Sequence, residues 1–338
     1  MKSNAELSEV MTSPSTDLIR DLQKIEGDIM ILGVGGKMGL SMAQLAKRAI
    51  EEAGLQKRVI GVSRFSSENL REALEASGVE TIACDLLNDA ELQALPDVEN
   101  VIYMVGRKFG TTGNEYITWA VNTYLPGRVA EKFSNSNIVV FSSGNVYPLV
   151  DVKKAGSTER DRPNPVGEYA QSCLGRERVF TYFSRKNNTP ILIFRLNYAI
   201  DMKYGVLSEI ARQVYSEQPV DLSMGHVNVI WQGDANEYAL RSLRHCSKDP
   251  TILNVTGPET VSVRWLAEEF ARKFAKEVNF INEEAPTALL NNAGKAHQLF
   301  GYPKIPLQQM IDWTVEWLQH DGDVLDKPTH FQERQGAF

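Results

Sequence analysis

Short apolar runs alternate with helical patterns over the first two-thirds of the chain. The runs are "DIMILGV" (28–34), "KRVIGVS" (57–63), "VETIACD" (79–85), "NVIYMV" (100–105), "NIVVFSS" (137–143) and "PILIFRL" (190–196). Between them lie segments with helical periodicity: "MGLSMAQLAKRAIEEAG" after the first run, then 67–77, a long helix from near Asn114, and roughly 167–186. Runs that are apolar throughout and joined by helices predict a parallel sheet covered on both faces. Right-handed crossovers then make it a Rossmann-type doubly wound α/β fold.

After residue 197 the rhythm breaks into shorter Gly- and Pro-rich pieces such as "SEQPVDLSMGH" and "TGPET", with helices expected over 262–275 and 306–319. The pattern predicts a Rossmann lobe from 27–196 plus about 228–255, and a smaller substrate lobe from 197–227 plus 256–338. Residues 1–26 read as a polar leader with one short helix at its end, and the last residues as an irregular tail with His330 in solvent. Trp313 and Trp317, at helical spacing, read as core.

Composition narrows the classes. The chain has 338 residues and a formal net charge of −7, which argues against a broad nucleic-acid footprint. No apolar run reaches the ~18–20 residues that span a bilayer, and the N-terminus lacks the apolar region of a signal peptide. The three cysteines, Cys84, Cys173 and Cys246, stand far apart, with no metal spacing and no disulfide framework. The expectation is a cytoplasmic protein with no metal, no nucleic acid and no membrane among its partners.

The first run ends in "ILGVGGKMG". Gly33 permits a tight turn, Gly36 lets the backbone approach a pyrophosphate, and Gly39 lets the following helix pack on the strand; Lys37 and Met38 complete the loop. A strand before the loop and a helix after it are the context a dinucleotide needs. The second run ends in Ser63-Arg64, where an NAD enzyme usually carries an acidic residue for the ribose hydroxyls. An arginine there pairs with a 2′-phosphate, which favours NADP, with NAD beside a solvated arginine as the alternative. Asp85 and Leu86 after the third run, and Val105 and Gly106 after the fourth, border the same cofactor. Asp85 equally suits the cap of the next helix.

Further motifs carry a resemblance. "SSGNVYP" holds Ser143, and "GEYAQSCLGRERV" holds Tyr169 and Ser172. Together with Gly33, Gly36 and Gly39, these segments resemble the extended short-chain dehydrogenase/reductases, the NAD-dependent epimerase/dehydratase family, from residue 28 to about 320. The resemblance implies a catalytic serine at Ser143, a catalytic tyrosine at Tyr169 and a site asparagine at Asn122. It also implies a sugar-like substrate and a homodimer through helices 114–133 and 167–186. One position departs. The family's YxxxK lysine is Cys173.

A tyrosine titrates near ~10, and a lysine four residues on shares its helix face and favours tyrosinate. Cys173, which would still line the cofactor site, supplies no such charge and reads as a small buried apolar residue. Three readings stay open. Lys108, in "GRKFGTTGN", supplies the cation, with Arg107 and Lys203 as other candidates; a different group moves the proton; or the chain is a non-catalytic NADP(H)-binding sensor or scaffold. Asn145, Arg195, Asn197, His226 and Asn228 are candidate substrate contacts, the arginine and its partner at position 197 because they end the sixth strand. The expectation is an NAD(P)-dependent oxidoreductase or epimerase acting on a sugar or sugar acid by hydride transfer.

Overall fold

The protein is described here by a computed structural model over residues 1–325 and 327–337. Seven strands form its central sheet: β1 (Ile29–Leu32), β2 (Val59–Ser63), β3 (Glu80–Ala83), β4 (Asn100–Tyr103), β5 (Asn137–Ser143), β6 (Ile191–Leu196) and β7 (Thr251–Val255). Their order is β7-β6-β5-β4-β1-β2-β3, with every pair parallel. The chain starts in the middle, winds one way through β3, then crosses back over β1 to β4. That reversal leaves a crevice beyond the carboxyl ends of β1 and β4, where open sheets of this kind take ligands. The six apolar runs are β1 to β6. The seventh strand pairs Leu253 with Phe194 at one edge of the sheet.

Both faces are covered. Ile29, Ile31 and Val139 meet Met42, Leu45 and Ala46 of the helix Gly39–Glu52 on one face. Met30, Leu32, Ile60 and Tyr103 meet Leu125, Val129 and Phe180 on the other. A methyl at Gly39 would lie 2.0 Å from the Val34 carbonyl oxygen, so only glycine lets this helix approach β1 so closely.

The segment expected to be a polar leader forms two helices, Asn4–Thr12 and Thr16–Leu22, capped by Ser3 and Ser15. Met1, Leu7 and Met11 enter the core of the smaller lobe, while Leu18 and Leu22 enter the Rossmann core. Few apolar positions suffice because each is fully used, and Asp21 pairs with Arg241 and Arg244 of the Rossmann lobe.

The smaller lobe packs the helices Val206–Tyr215, Val263–Phe274 and Leu307–Gln319 around one core that includes Trp317, with Trp313 packed against it. The tail has no regular structure, yet it is not free. Phe331 is fully buried, Arg334 donates to the Thr287 carbonyl at 2.8 Å, and Gly336 lies against Gly167. The His330 ring faces that of Phe109 at 5.9 Å, rather than standing in open solvent. Tyr116, Tyr124 and Tyr182, on the two helices expected to pair copies of the chain, are exposed. Among the described residues no helix is long and apolar enough to cross a membrane.

The Gly39 contact gives a direct check. Gly39→Ala should cost about 1–3 kcal/mol through overpacking against backbone, read as a lower denaturant midpoint with an unchanged slope.

Candidate functional site

The glycine loop turns immediately after β1. Gly33 adopts φ +90°, and its N–H donates to the Val62 carbonyl at 2.9 Å, tying the turn to β2. Gly36 and Gly39 donate in succession to the carbonyls of Gly33 and Gly36 at 3.0 Å. A methyl at Gly36 would meet only the Gly33 carbonyl oxygen, at 3.4 Å; its other side is open. Gly35, which lies outside the three-residue spacing, is more tightly confined, since a methyl there would lie 2.5 Å from the Ser63 hydroxyl.

The open side faces a cavity of about 520 Å³ at the sheet reversal. Gly33, Gly36, Ser63, Arg64, Asp85 and Lys108 line it, as do Leu86, Val105 and Gly106. Arg64 is exposed at the rim and makes no ion pair among the described residues. Asp85 accepts from the Leu87 N–H at 3.1 Å; the next helix is capped by Asn88 instead. Lys37 leans away to the smaller lobe, its ammonium 2.9 Å from the Tyr204 ring centroid. Burial, helped by repulsion from Lys327 and Lys108, pulls it down to about 8. Met38 packs into the Rossmann core and precedes the helix as its N-terminal flank.

At the end of β5 the Ser143 hydroxyl donates to Asn145 Oδ1 and accepts from the Asn145 N–H, both at 3.1 Å. The Tyr169 hydroxyl is hydrogen-bonded to Ser143 and stands against Cys173. Burial, reinforced by Cys173, holds this phenol well above its ordinary value. Cys173 is buried with Val146, Tyr147 and Leu174, and burial raises its thiol too. Lys108 reaches the same place from the loop after β4. Its ammonium lies 5.9 Å from the Tyr169 ring centroid and donates to the Thr329 carbonyl at 3.3 Å. Burial pulls it down to about 8, against the attraction of Cys173 and Glu209.

Asn122 sits in a π-turn, Ala120–Tyr124, that interrupts the long helix expected from near Asn114. Such turns often mark functional sites. Its Nδ2 donates to the Ser172 hydroxyl and the Arg107 carbonyl at 2.9 Å, and its Oδ1 accepts from the Arg107 N–H at 2.8 Å. Asn122 therefore fixes the backbone next to Lys108.

The structure does not gather all five candidate substrate contacts. Arg195 is buried behind the site. It forks onto Glu177 at 2.6 and 2.8 Å and donates to the Tyr147 hydroxyl at 2.5 Å. Asn228 clasps the Glu259 carbonyl and the Asn291 N–H. His226 starts a short strand paired with Ser262. Asn145 stays beside Ser143. Asn197, also buried, lies against Gly144, with its Nδ2 unpaired. A partly buried arginine from the tail, Arg334, stands near Asn145 instead.

A model of the NAD dependent epimerase/dehydratase family matches residues 29–231. Among solved structures the chain is similar to a UDP-glucose 4-epimerase from Thermotoga maritima solved with UDP-glucose. They share 16% identity and a TM-score of 0.71, over 87% of this chain and 99% of that one. It is also similar to a Thermus thermophilus UDP-glucose 4-epimerase in complex with NAD (17%, TM-score 0.69, 86% and 99%). A Bacillus cereus UDP-glucuronic acid 4-epimerase, in complex with UDP-glucuronic acid and NAD, matches at 15% identity and TM-score 0.69, over 86% and 99%. At these identities the likeness establishes the fold. No curated protein matches the chain.

The open side of Gly36 sets the check for this site. Gly36→Val should abolish dinucleotide binding in calorimetry while leaving the circular dichroism spectrum and thermal midpoint near wild type, because the added methyls meet cavity and not core. Normal binding by this variant would reduce the loop to a turn.

Proposed function

The chain belongs to the NAD dependent epimerase/dehydratase family, and from that premise we propose that it is a dinucleotide-dependent enzyme that epimerises or oxidises a sugar nucleotide. The observation that carries this reading is the position of Lys108. It lines the cavity beside the glycine loop and also stands 5.9 Å from the ring of Tyr169, which is bonded to Ser143. The binding cavity and the hydroxyl pair thus share one border.

The residues fit a dinucleotide. Gly36 leaves its backbone open to a pyrophosphate, the helix Gly39–Glu52 points its N-terminus there, and Ser63 and Arg64 stand where a ribose would end. Arg64, exposed and without an ion pair among the described residues, favours the 2′-phosphate of NADP over NAD. When bound, the dinucleotide supplies the acceptor and donor of hydride. The chain's own groups handle the proton. Ser143 hydrogen-bonds the reacting oxygen of the substrate, and Tyr169 takes or gives that oxygen's proton. Lys108, cationic below about 8, favours the tyrosinate that burial opposes.

A second reading has its own observation. Cys173 occupies the lysine's place and, with burial, holds Tyr169 in its protonated form. A protein that binds NADP(H) without turnover would tolerate that arrangement. A panel of UDP-hexoses and UDP-hexuronic acids decides between the two, with dinucleotide reduction followed by absorbance and product epimers by chromatography. Turnover of any member supports the enzyme, and tight dinucleotide binding with no turnover supports the sensor.

For the cofactor, NADP should bind more tightly than NAD, and Arg64→Glu should reverse the order. Loss of a charge-assisted phosphate contact should cost about 2–3 kcal/mol in calorimetry; equal wild-type affinities would contradict the assignment. For the chemistry, Tyr169→Phe should lower kcat on the order of 10²–10⁴-fold with dinucleotide affinity nearly unchanged. Activity of the wild type should fall as pH rises through about 8, where Lys108 loses its proton. Lys108→Ala should remove that limb of the profile along with most of the rate.

A further inference from the structure

Three residues beyond Cys173, and two turns beyond Tyr169 on the same face of the helix Gly167–Asn187, lies Arg176. It is 5% exposed, and among the described residues no Asp or Glu makes an ion pair with it; the adjacent Glu177 is taken by Arg195. A buried guanidinium without a carboxylate is costly, so what it holds is informative. Nη1 donates to the Phe141 carbonyl at 2.8 Å, Nη2 to Asn122 Oδ1 at 2.8 Å, and Nε to the Asn122 carbonyl at 3.4 Å. Each bond reaches a segment of the site. Phe141 lies two residues before Ser143 on β5. Asn122 grips the backbone of Arg107, next to Lys108. Arg176 itself is on the helix of Tyr169. Its Nη2 lies directly behind Gly106 on the cavity wall, where a methyl would meet it at 2.9 Å.

With Lys108 serving Tyr169, we propose that Arg176 is a positioning residue that takes over the absent lysine's other part, a fixed cation beside the dinucleotide. Its fork locks the segments bearing Ser143, Tyr169 and Lys108 in register, and its charge acts on the bound nicotinamide ring from behind Gly106. The inference rests on the dinucleotide reading above. A lysine at position 173 would carry its charge at the tip of a mobile chain. Here the charge is one turn further along and rigid, because a guanidinium fixes its donors in one plane, whereas an ammonium is a compact charge with rotatable donors on a flexible stem.

The charge has a signature that packing lacks. The nicotinamide ring is cationic when oxidised and neutral when reduced, so a cation behind the cavity wall favours the reduced form. Calorimetry with NADP⁺ and NADPH, or with NAD⁺ and NADH if those bind more tightly, reads the affinity ratio without turnover. Arg176→Met should shift the ratio toward the oxidised form on the order of tenfold. Arg176→Lys should keep the wild-type ratio while weakening both forms. Cys173→Lys in the Arg176→Met background should restore the ratio by returning an ammonium to the lysine's position. Equal loss of both affinities in Arg176→Met, or a ratio that the added lysine does not restore, would overturn the inference and leave the dinucleotide reading standing. A wild type that binds neither form would overturn both.

Discussion

Two guanidinium groups are buried beneath one helix, and the site depends on how each is satisfied. Arg195, from β6, meets the carboxylate of Glu177 in a fork at 2.6 and 2.8 Å. Arg176, one residue before Glu177, meets neutral oxygens from β5 and the π-turn and, among the described residues, no carboxylate. The first pair clamps the helix to the sheet. The second leaves a net positive charge under the tyrosine and hands its hydrogen bonds to the strand that ends in Ser143 and to Asn122, which holds the backbone next to Lys108. Removing either partner of the Arg195–Glu177 pair would strand a charge in the interior, at a cost of several kcal/mol.

From that clamp the geometry of the site follows upward. The helix Gly167–Asn187 is held at one height, so Tyr169 reaches Ser143 at the end of β5. Asn122 is held with its amide turned toward Arg107, so Lys108 projects between the cavity and the tyrosine. The glycine loop faces the same border from β1, where the sheet reverses. Cys173 is filled in as a small apolar residue among Val146, Tyr147 and Leu174, which is why it tolerates the place of a lysine.

Much of this was legible in the sequence because it is local. Strand runs, the glycine spacing and the tyrosine helix each declare themselves within a dozen residues, and Lys108 could be singled out because its loop follows an apolar run. What was missed is long-range. The N-terminal segment looks polar because Leu7, Met11, Leu18 and Leu22 are sparse, although Ser3 and Ser15 give readable caps. The tail carries Phe331 and Arg334 into the smaller lobe from a stretch with no periodicity. In the sequence Arg195 reads as a strand-end ligand, because its partner, Glu177, is set only by the fold. Arg176 reads as one more solvated helix arginine until the carbonyl of Phe141 is placed against it.

The central claim is that Lys108, in place of the helix lysine, serves Tyr169 when the dinucleotide is bound. A crystal structure with NADP tests it most directly. There the Lys108 ammonium should be turned from the Thr329 carbonyl to within hydrogen-bonding distance of the Tyr169 hydroxyl or the nicotinamide ribose. A Lys108 still bonded to Thr329, with the tyrosine sealed against Ser143 and Cys173, would contradict it.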